Sequence, residues 1–326
     1  MKQLFQAVNI ISRKVDEANE IGNHYKGVTY MKIDIRGVYP PITTPFDEQE
    51  NINFLALEKN IEKWNETDLA GYVIFGSNGE YAFLNEQEKL EIVKVCIENA
   101  GAGKKIIVGA GCETTRDTIE LTNKSAKLGA NYALIVNPNF YKGSMNRKVL
   151  KAHFNAVADA ADIPILLYNV PKNTGINFEP DLVAELAQHP NIVGIKDSAA
   201  NITQLAQIIS MSPSDFNVLV GTAGVLYPGL ALGANGGVMA LATCCPDKCL
   251  EIYNLYNAGK NEEAKELQLK MIPVNNAVTG TYGIPGLKYV MEKRGYIGGP
   301  TRRPLLPLTA EEELKLDEIM RKAELI

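Results

Sequence analysis

Between residues 37 and 257 the chain alternates a short apolar run with an amphipathic one eight times over, and few folds can absorb that rhythm. The apolar runs are 37–44, 71–75, 105–110, 132–136, 163–168, 192–196, 216–221 and 237–241. Each is short and apolar without a polar alternation, as expected of parallel strands covered on both faces. The intervening segments 54–67, 85–100, 115–128, 146–160, 179–188, 202–211, 227–232 and 246–257 carry apolar residues at helical spacing. In 54–67, for example, Leu55, Leu57, Ile61 and Trp64 fall on one side, and Asn85 with Glu88 has the spacing of a capping box. Eight such units predict an α/β chain closed into a (β/α)8 TIM barrel; an open doubly wound sheet is the alternative. After Gly259 the alternation stops, and 262–278, 284–294 and 310–325 read as helices broken by Gly295-Tyr296-Ile297-Gly298-Gly299-Pro300. The expected organisation is an N-terminal segment (1–30), a barrel (31–258) and a C-terminal helical extension (259–326).

The first fifteen residues contain Lys2, Arg13 and Lys14 but no acid, with Leu4, Phe5, Val8, Ile11 and Val15 at helical spacing. That pattern fits a mitochondrial presequence, with an ordinary N-terminal helix of a cytoplasmic protein as the alternative. A net charge of −5 argues against a general affinity for nucleic acid, and no apolar run reaches the about 18 residues of a membrane span. Cys96, Cys112, Cys244, Cys245 and Cys249 are odd in number and sit in apolar contexts, which reads as reduced core thiols. The three histidines are scattered, so neither a metal nor another cofactor is expected.

In a barrel of this kind chemistry gathers where strands end. The run Asn191-Ile192-Val193-Gly194-Ile195 ends in Lys196, and an amine delivered by a buried strand can serve as a nucleophile toward a keto carbon, although a lysine after a strand is ordinarily a solvated end residue. Tyr168 ends the fifth run; it reads either as a core residue with a wet hydroxyl or as a proton shuttle beside Lys196. The two glycines of Gly76-Ser77-Asn78-Gly79-Glu80 allow a tight turn whose N–H groups, with Ser77 and Asn78, suit a carboxylate; the plain alternative is an ordinary turn.

Gly76-Ser77-Asn78-Gly79-Glu80, Tyr168-Asn169-Val170-Pro171 and Gly194-Ile195-Lys196-Asp197, in this order, resemble the dihydrodipicolinate synthase and N-acetylneuraminate lyase family of pyruvate-dependent Schiff-base aldolases, and the resemblance runs over about residues 37–308. Gly111-Cys112-Glu113-Thr114-Thr115, Gln188-His189-Pro190-Asn191, Gly283-Ile284-Pro285-Gly286 and Gly295-Tyr296-Ile297-Gly298 are similar to the family's mitochondrial 4-hydroxy-2-oxoglutarate aldolases. The resemblance implies a carbon–carbon lyase without a cofactor that takes a small 2-oxo acid, has neither nucleic acid nor membrane as partner, and assembles as a homotetramer. It implies Lys196 as the Schiff-base lysine, Tyr168 as the proton carrier, Ser77 and Asn78 on the pyruvyl carboxylate, and Ser198 and Gly221 near the distal end of the substrate.

Two departures bear on substrate. Synthases of the family carry an arginine where this chain has Asn173, and without that bidentate fork a second carboxylate loses its partner. The family's interfacial tyrosine falls at Phe140, with Tyr141 beside it, so the relay either shifts by one residue or shortens. The expected reaction is therefore cleavage of 4-hydroxy-2-oxoglutarate to pyruvate and glyoxylate. A 2-keto-3-deoxy sugar acid aldolase or an N-acetylneuraminate lyase-like enzyme is the alternative, ahead of dihydrodipicolinate synthase or a non-catalytic 2-oxo acid binding barrel.

Overall fold

Apolar runs buried over most of their length form eight parallel strands in a computed structural model, which describes residues 33–326. They are β1 (Gly37–Tyr39), β2 (Gly71–Ile74), β3 (Lys105–Gly109), β4 (Tyr132–Val136), β5 (Ile165–Asn169), β6 (Ile192–Asp197), β7 (Asn217–Val220) and β8 (Gly236–Val238). Each pairs with its successor from β2 to β8, and β8 pairs with β1. The ring closes between β1 and β2, where Ala70 donates to the Val38 carbonyl and Ile42 to the Val73 carbonyl, both at 3.0 Å. This is the (β/α)8 barrel. β1 stops at Tyr39 rather than at 44 because Pro40 and Pro41 have no N–H to give a ladder; an isolated bridge from Pro41 to Val73 takes its place. The possible presequence, residues 1–30, lies outside the described residues.

The covering helices are α1 (Phe54–Asn65), α2 (Glu86–Asn99), α3 (Thr115–Leu128), α4 (Arg147–Ala160), α5 (Pro180–Leu186), α6 (Ile202–Met211), α7 (Leu226–Leu232) and α8 (Pro246–Asn257). Side chains close most of their first turns: Asn53, Thr114, Asn146 and Asn201 each accept from a backbone N–H three residues on. Asn85 and Glu88 form the capping box that their spacing predicts. Between strands and helices lies a layer that includes Leu57, Ile61, Trp64, Val93, Phe154, Val183 and Ile208, all fully buried; each such side chain contributes about 1.5–3 kcal/mol relative to exposure. Cys96, Cys244, Cys245 and Cys249 belong to the core as free thiols, and Cys112 is half-buried.

Beyond the barrel come α9 (Asn261–Asn276), a π-helical stretch (Ala277–Thr281), α10 (Gly283–Lys293) and α11 (Ala310–Lys322). They belong to one compact unit with the barrel, Ile35–Ile326. Among the described residues no helix is long and apolar enough to cross a membrane.

Candidate active site

Parallel pairing of β5 with β6 sets Tyr168 opposite Lys196 and Asn169 opposite Asp197. Since side chains alternate along a strand, each pair shares a face. Tyr168 and Lys196 therefore stand side by side near the carboxyl ends of their strands, both buried, with the Lys196 Nζ 4.3 Å from the centre of the Tyr168 ring. Among the described residues no carboxylate lies within ion-pair distance of that nitrogen. The Tyr168 hydroxyl is 3.2 Å from Ser77 Oγ, which also accepts a 3.1 Å hydrogen bond from the Asn173 amide. The ends of β2 and β5 thus meet at the phenol oxygen, with the end of β6 bringing Lys196 over the ring. With Asn173 on one lone pair, Ser77 keeps its proton and a second lone pair, so either hydroxyl of the Ser77–Tyr168 bond can be the donor.

The turn that carries Ser77 is a 3₁₀ helix, Ser77–Gly79, and Thr44 Oγ1 donates to the Gly79 carbonyl at 2.7 Å. Gly79 has little room to change, since a Cβ there would lie 3.1 Å from the Ile42 carbonyl oxygen. Ser77 and Asn78 are both half-buried on this turn.

The other pair faces the helices. The buried Asp197 carboxylate accepts from Asn169 Nδ2 at 2.7 Å and from Gln204 Nε2 and the Ala199 N–H at 3.4 Å. Asn169 Oδ1 in turn accepts from the Phe178 N–H at 3.1 Å, and Asn177 exchanges hydrogen bonds with Gln204. Burial pushes the Asp197 carboxyl above its ordinary range, against the pull of those hydrogen bonds. Asn169 and Asp197 stand inside the sequence motifs, which assign them no role. Their signal was a polar residue directly after the strand-end tyrosine and lysine, on the opposite parity.

Ser198 and Gly221 meet each other at the ends of β6 and β7. A Cβ on Gly221 would lie 1.9 Å from Ser198 Oγ, so only glycine fits beside that hydroxyl. Ser198 Oγ is buried and has no hydrogen-bond partner among the described residues. Phe140 and Tyr141 stand apart from the Lys196 group: they are 77% and 72% exposed, packed edge to face at 5.0 Å, with the Phe140 N–H held by the Glu113 carboxylate at 3.0 Å. Within one chain neither completes the Tyr168 relay.

Residues 34–323 match the model of the dihydrodipicolinate synthetase family. A protein of Methanothrix thermoacetophila named 4-hydroxy-tetrahydrodipicolinate synthase is 36% identical over 88% of this chain and 96% of its own length. Another of the same name, from Methanosphaerula palustris, is 37% identical over 87% of this chain and 98% of its own. The crystal structure of a dihydrodipicolinate synthase from Acinetobacter baumannii complexed with pyruvate superposes with a TM-score of 0.85 at 30% identity, covering 90% of this chain and 100% of that one.

These relatives overturn the expectation of 4-hydroxy-2-oxoglutarate cleavage. They carry the name of the synthase, the activity disfavoured on the strength of Asn173. One missing guanidinium does not decide the substrate. Asn173 is engaged with Ser77, and Lys172, on the same turn, carries a cation that reaches the Thr279 carbonyl at 3.3 Å.

Proposed function

We propose, because this chain belongs to the dihydrodipicolinate synthetase family, a family of pyruvate-dependent carbon–carbon lyases and aldolases, that it condenses pyruvate with an amino aldehyde acid in the manner of 4-hydroxy-tetrahydrodipicolinate synthase. The observation that carries this reading is the register of Tyr168 against Lys196, with Ser77 on the phenol. The names of the relatives and the pyruvate complex of the Acinetobacter baumannii protein support it.

In the proposed reaction the uncharged Lys196 amine adds to the keto carbon of pyruvate, and Tyr168 carries protons as the carbinolamine forms and loses water. Ser77 donates to the phenol oxygen while it lacks its proton, and Asn173 holds Ser77 in place. Loss of a proton from C3 turns the imine into an enamine, which attacks the aldehyde carbon of aspartate semialdehyde and forms the carbon–carbon bond. The amino group of that acceptor then closes onto C2 and releases Lys196, giving the cyclic product. The carboxylate of pyruvate sits on the Ser77-Asn78 turn, and Ser198 and Gly221 flank the acceptor. Tyr141 of a second copy completes the relay in a tetramer, with Phe140 packed beside it; their exposure in the single chain supports this.

Borohydride added with pyruvate should fix a covalent adduct on the peptide carrying Lys196, detected by mass. An unmodified Lys196 peptide rules out the imine. A second reading, cleavage of 2-keto-3-deoxy sugar acids, is favoured by the neutral Asn173 and the unpartnered Ser198 hydroxyl, which suit a hydroxylated chain. Pyruvate consumption with aspartate semialdehyde, set against pyruvate release from keto-deoxy sugar acids, separates the two.

A further inference from the structure

We propose that Glu80 and Lys288 are positioning residues for substrate binding: their buried ion pair fixes the Ser77-Asn78 turn against the C-terminal helices and so sets its affinity for the pyruvate carboxylate. The inference rests on the reading above, in which that turn receives the carboxylate.

Glu80 closes the 3₁₀ turn Ser77–Gly79 with φ 54° and ψ 31°, the left-handed region, where a residue with a Cβ is disfavoured by about 1–2 kcal/mol. Something must hold it there. Its carboxylate is wholly buried and meets Lys288 Nζ of α10 at 2.7 Å, with the Lys288 side chain 3% exposed. The second carboxylate oxygen accepts from the Arg302 N–H at 2.9 Å. Lys288 Nζ also donates to the Thr44 carbonyl at 2.8 Å and the Pro300 carbonyl at 2.7 Å, so two of its ammonium protons go to carbonyls beside the ion pair with Glu80.

The same Thr44 grips the Gly79 carbonyl through its hydroxyl. Arg302 adds a second tie, to the Phe83 carbonyl at 2.8 Å and to the Glu88 carboxylate at 2.8 and 3.1 Å, with its guanidinium carbon 4.4 Å from the Phe46 ring centre. Glu80 and Phe83 are therefore both fastened to Arg302, between α10 and α11, and Glu80 to α10 as well.

Both side chains are buried and face each other rather than a ligand, which makes the role one of placement. Nor is a buried ion pair an efficient route to stability, because apolar or neutral replacements of both members often do as well. What the pair supplies is direction: it fixes the rotation of the turn and hence the aim of the Ser77 hydroxyl and the backbone N–H groups.

The test is borohydride trapping on the full chain as a function of pyruvate concentration. The double variant Glu80→Gln/Lys288→Met removes both charges at nearly constant volume; Lys288→Arg keeps the charge but misfits its three acceptors. Both are expected to raise the half-saturating pyruvate about tenfold or more, while turnover at saturation falls less than that. Glu251→Gln, which breaks the exposed Lys248–Glu251 pair at 2.9 Å on α8, is the control, with half-saturation unchanged. Half-saturation within about twofold of wild type in either folded variant overturns the proposal. If the wild-type chain traps no adduct at all, the Schiff-base reading fails and the proposal falls with it.

Discussion

The Lys196 amine rests on the face of an aromatic ring rather than against a carboxylate, which sets its surroundings apart from those of another buried lysine, Lys288. Lys288, equally buried, has an anion and two carbonyls; Lys196 has the Tyr168 ring at 4.3 Å. Among the described residues no ion pair holds the Lys196 nitrogen, which leaves it open to a keto carbon. Lys196→Ala should therefore abolish the trapped adduct. Tyr168→Phe keeps the ring and loses the proton carrier, so turnover should fall by about 10²–10⁴ while adduct still accumulates on long incubation. Rapid-quench trapping distinguishes the two; an unaltered rate in Tyr168→Phe would move the proton work elsewhere. Lys196 and Tyr168 were legible because each ends an apolar run. The Ser77 hydrogen bond was not, because its partner is 91 positions away and meets it only once the barrel has closed.

At the scale of elements, the Tyr168–Lys196 pair is backed by a polar pair on the other face of the same two strands. Tyr168 sits beside Lys196 only while β5 and β6 keep their register, and Asn169 to Asp197 is the side-chain bond that ties those two strand ends on the helix-facing side. Asn169→Ala removes the 2.7 Å donor from a buried carboxylate and the acceptor of the Phe178 N–H, which should destabilise the chain by about 1–3 kcal/mol. A urea unfolding midpoint measures it. Asp197→Asn should cost less, because burial already pushes this carboxyl toward its neutral form and an amide oxygen can still accept from Asn169. Equal losses would mean that the charge itself holds the strands together. The strand-helix alternation was readable because parallel strands must be apolar on both faces. The four-residue helix Pro171–Thr174, the π-helical Ala277–Thr281 and the early stop of β1 were not, since each is decided by contacts or missing N–H groups that periodicity does not record.

For the whole molecule, a buried neutral histidine makes folding depend on pH. His153 lies on α4 with its Nδ1 2.9 Å from Thr115 Oγ1, its Nε2 buried without a partner among the described residues, and its ring edge-to-face with Phe154 at 5.1 Å. Charging that ring would place a second N–H donor where nothing accepts it, and burial holds the imidazole down to about 4, against 6.5 when unfolded. The sign follows from which state takes up the proton. Between pH 6.5 and 4 the unfolded chain is protonated at this residue and the folded chain is not, so acid draws the equilibrium toward unfolding. The contribution is complete above pH 6.5, declines through that window and levels off below 4. Its full span is about 3 kcal/mol at 1.36 kcal/mol per pH unit. His153→Gln keeps a partner for Thr115 and cannot titrate. Urea midpoints of both proteins at pH 7 and pH 4.5 should show wild type losing about 2–3 kcal/mol more than the variant, since the carboxylates titrate alike in both. Parallel losses in the two proteins would mean that the acid sensitivity of this barrel arises from its carboxylates alone, and that the ring at position 153 is charged in the folded state.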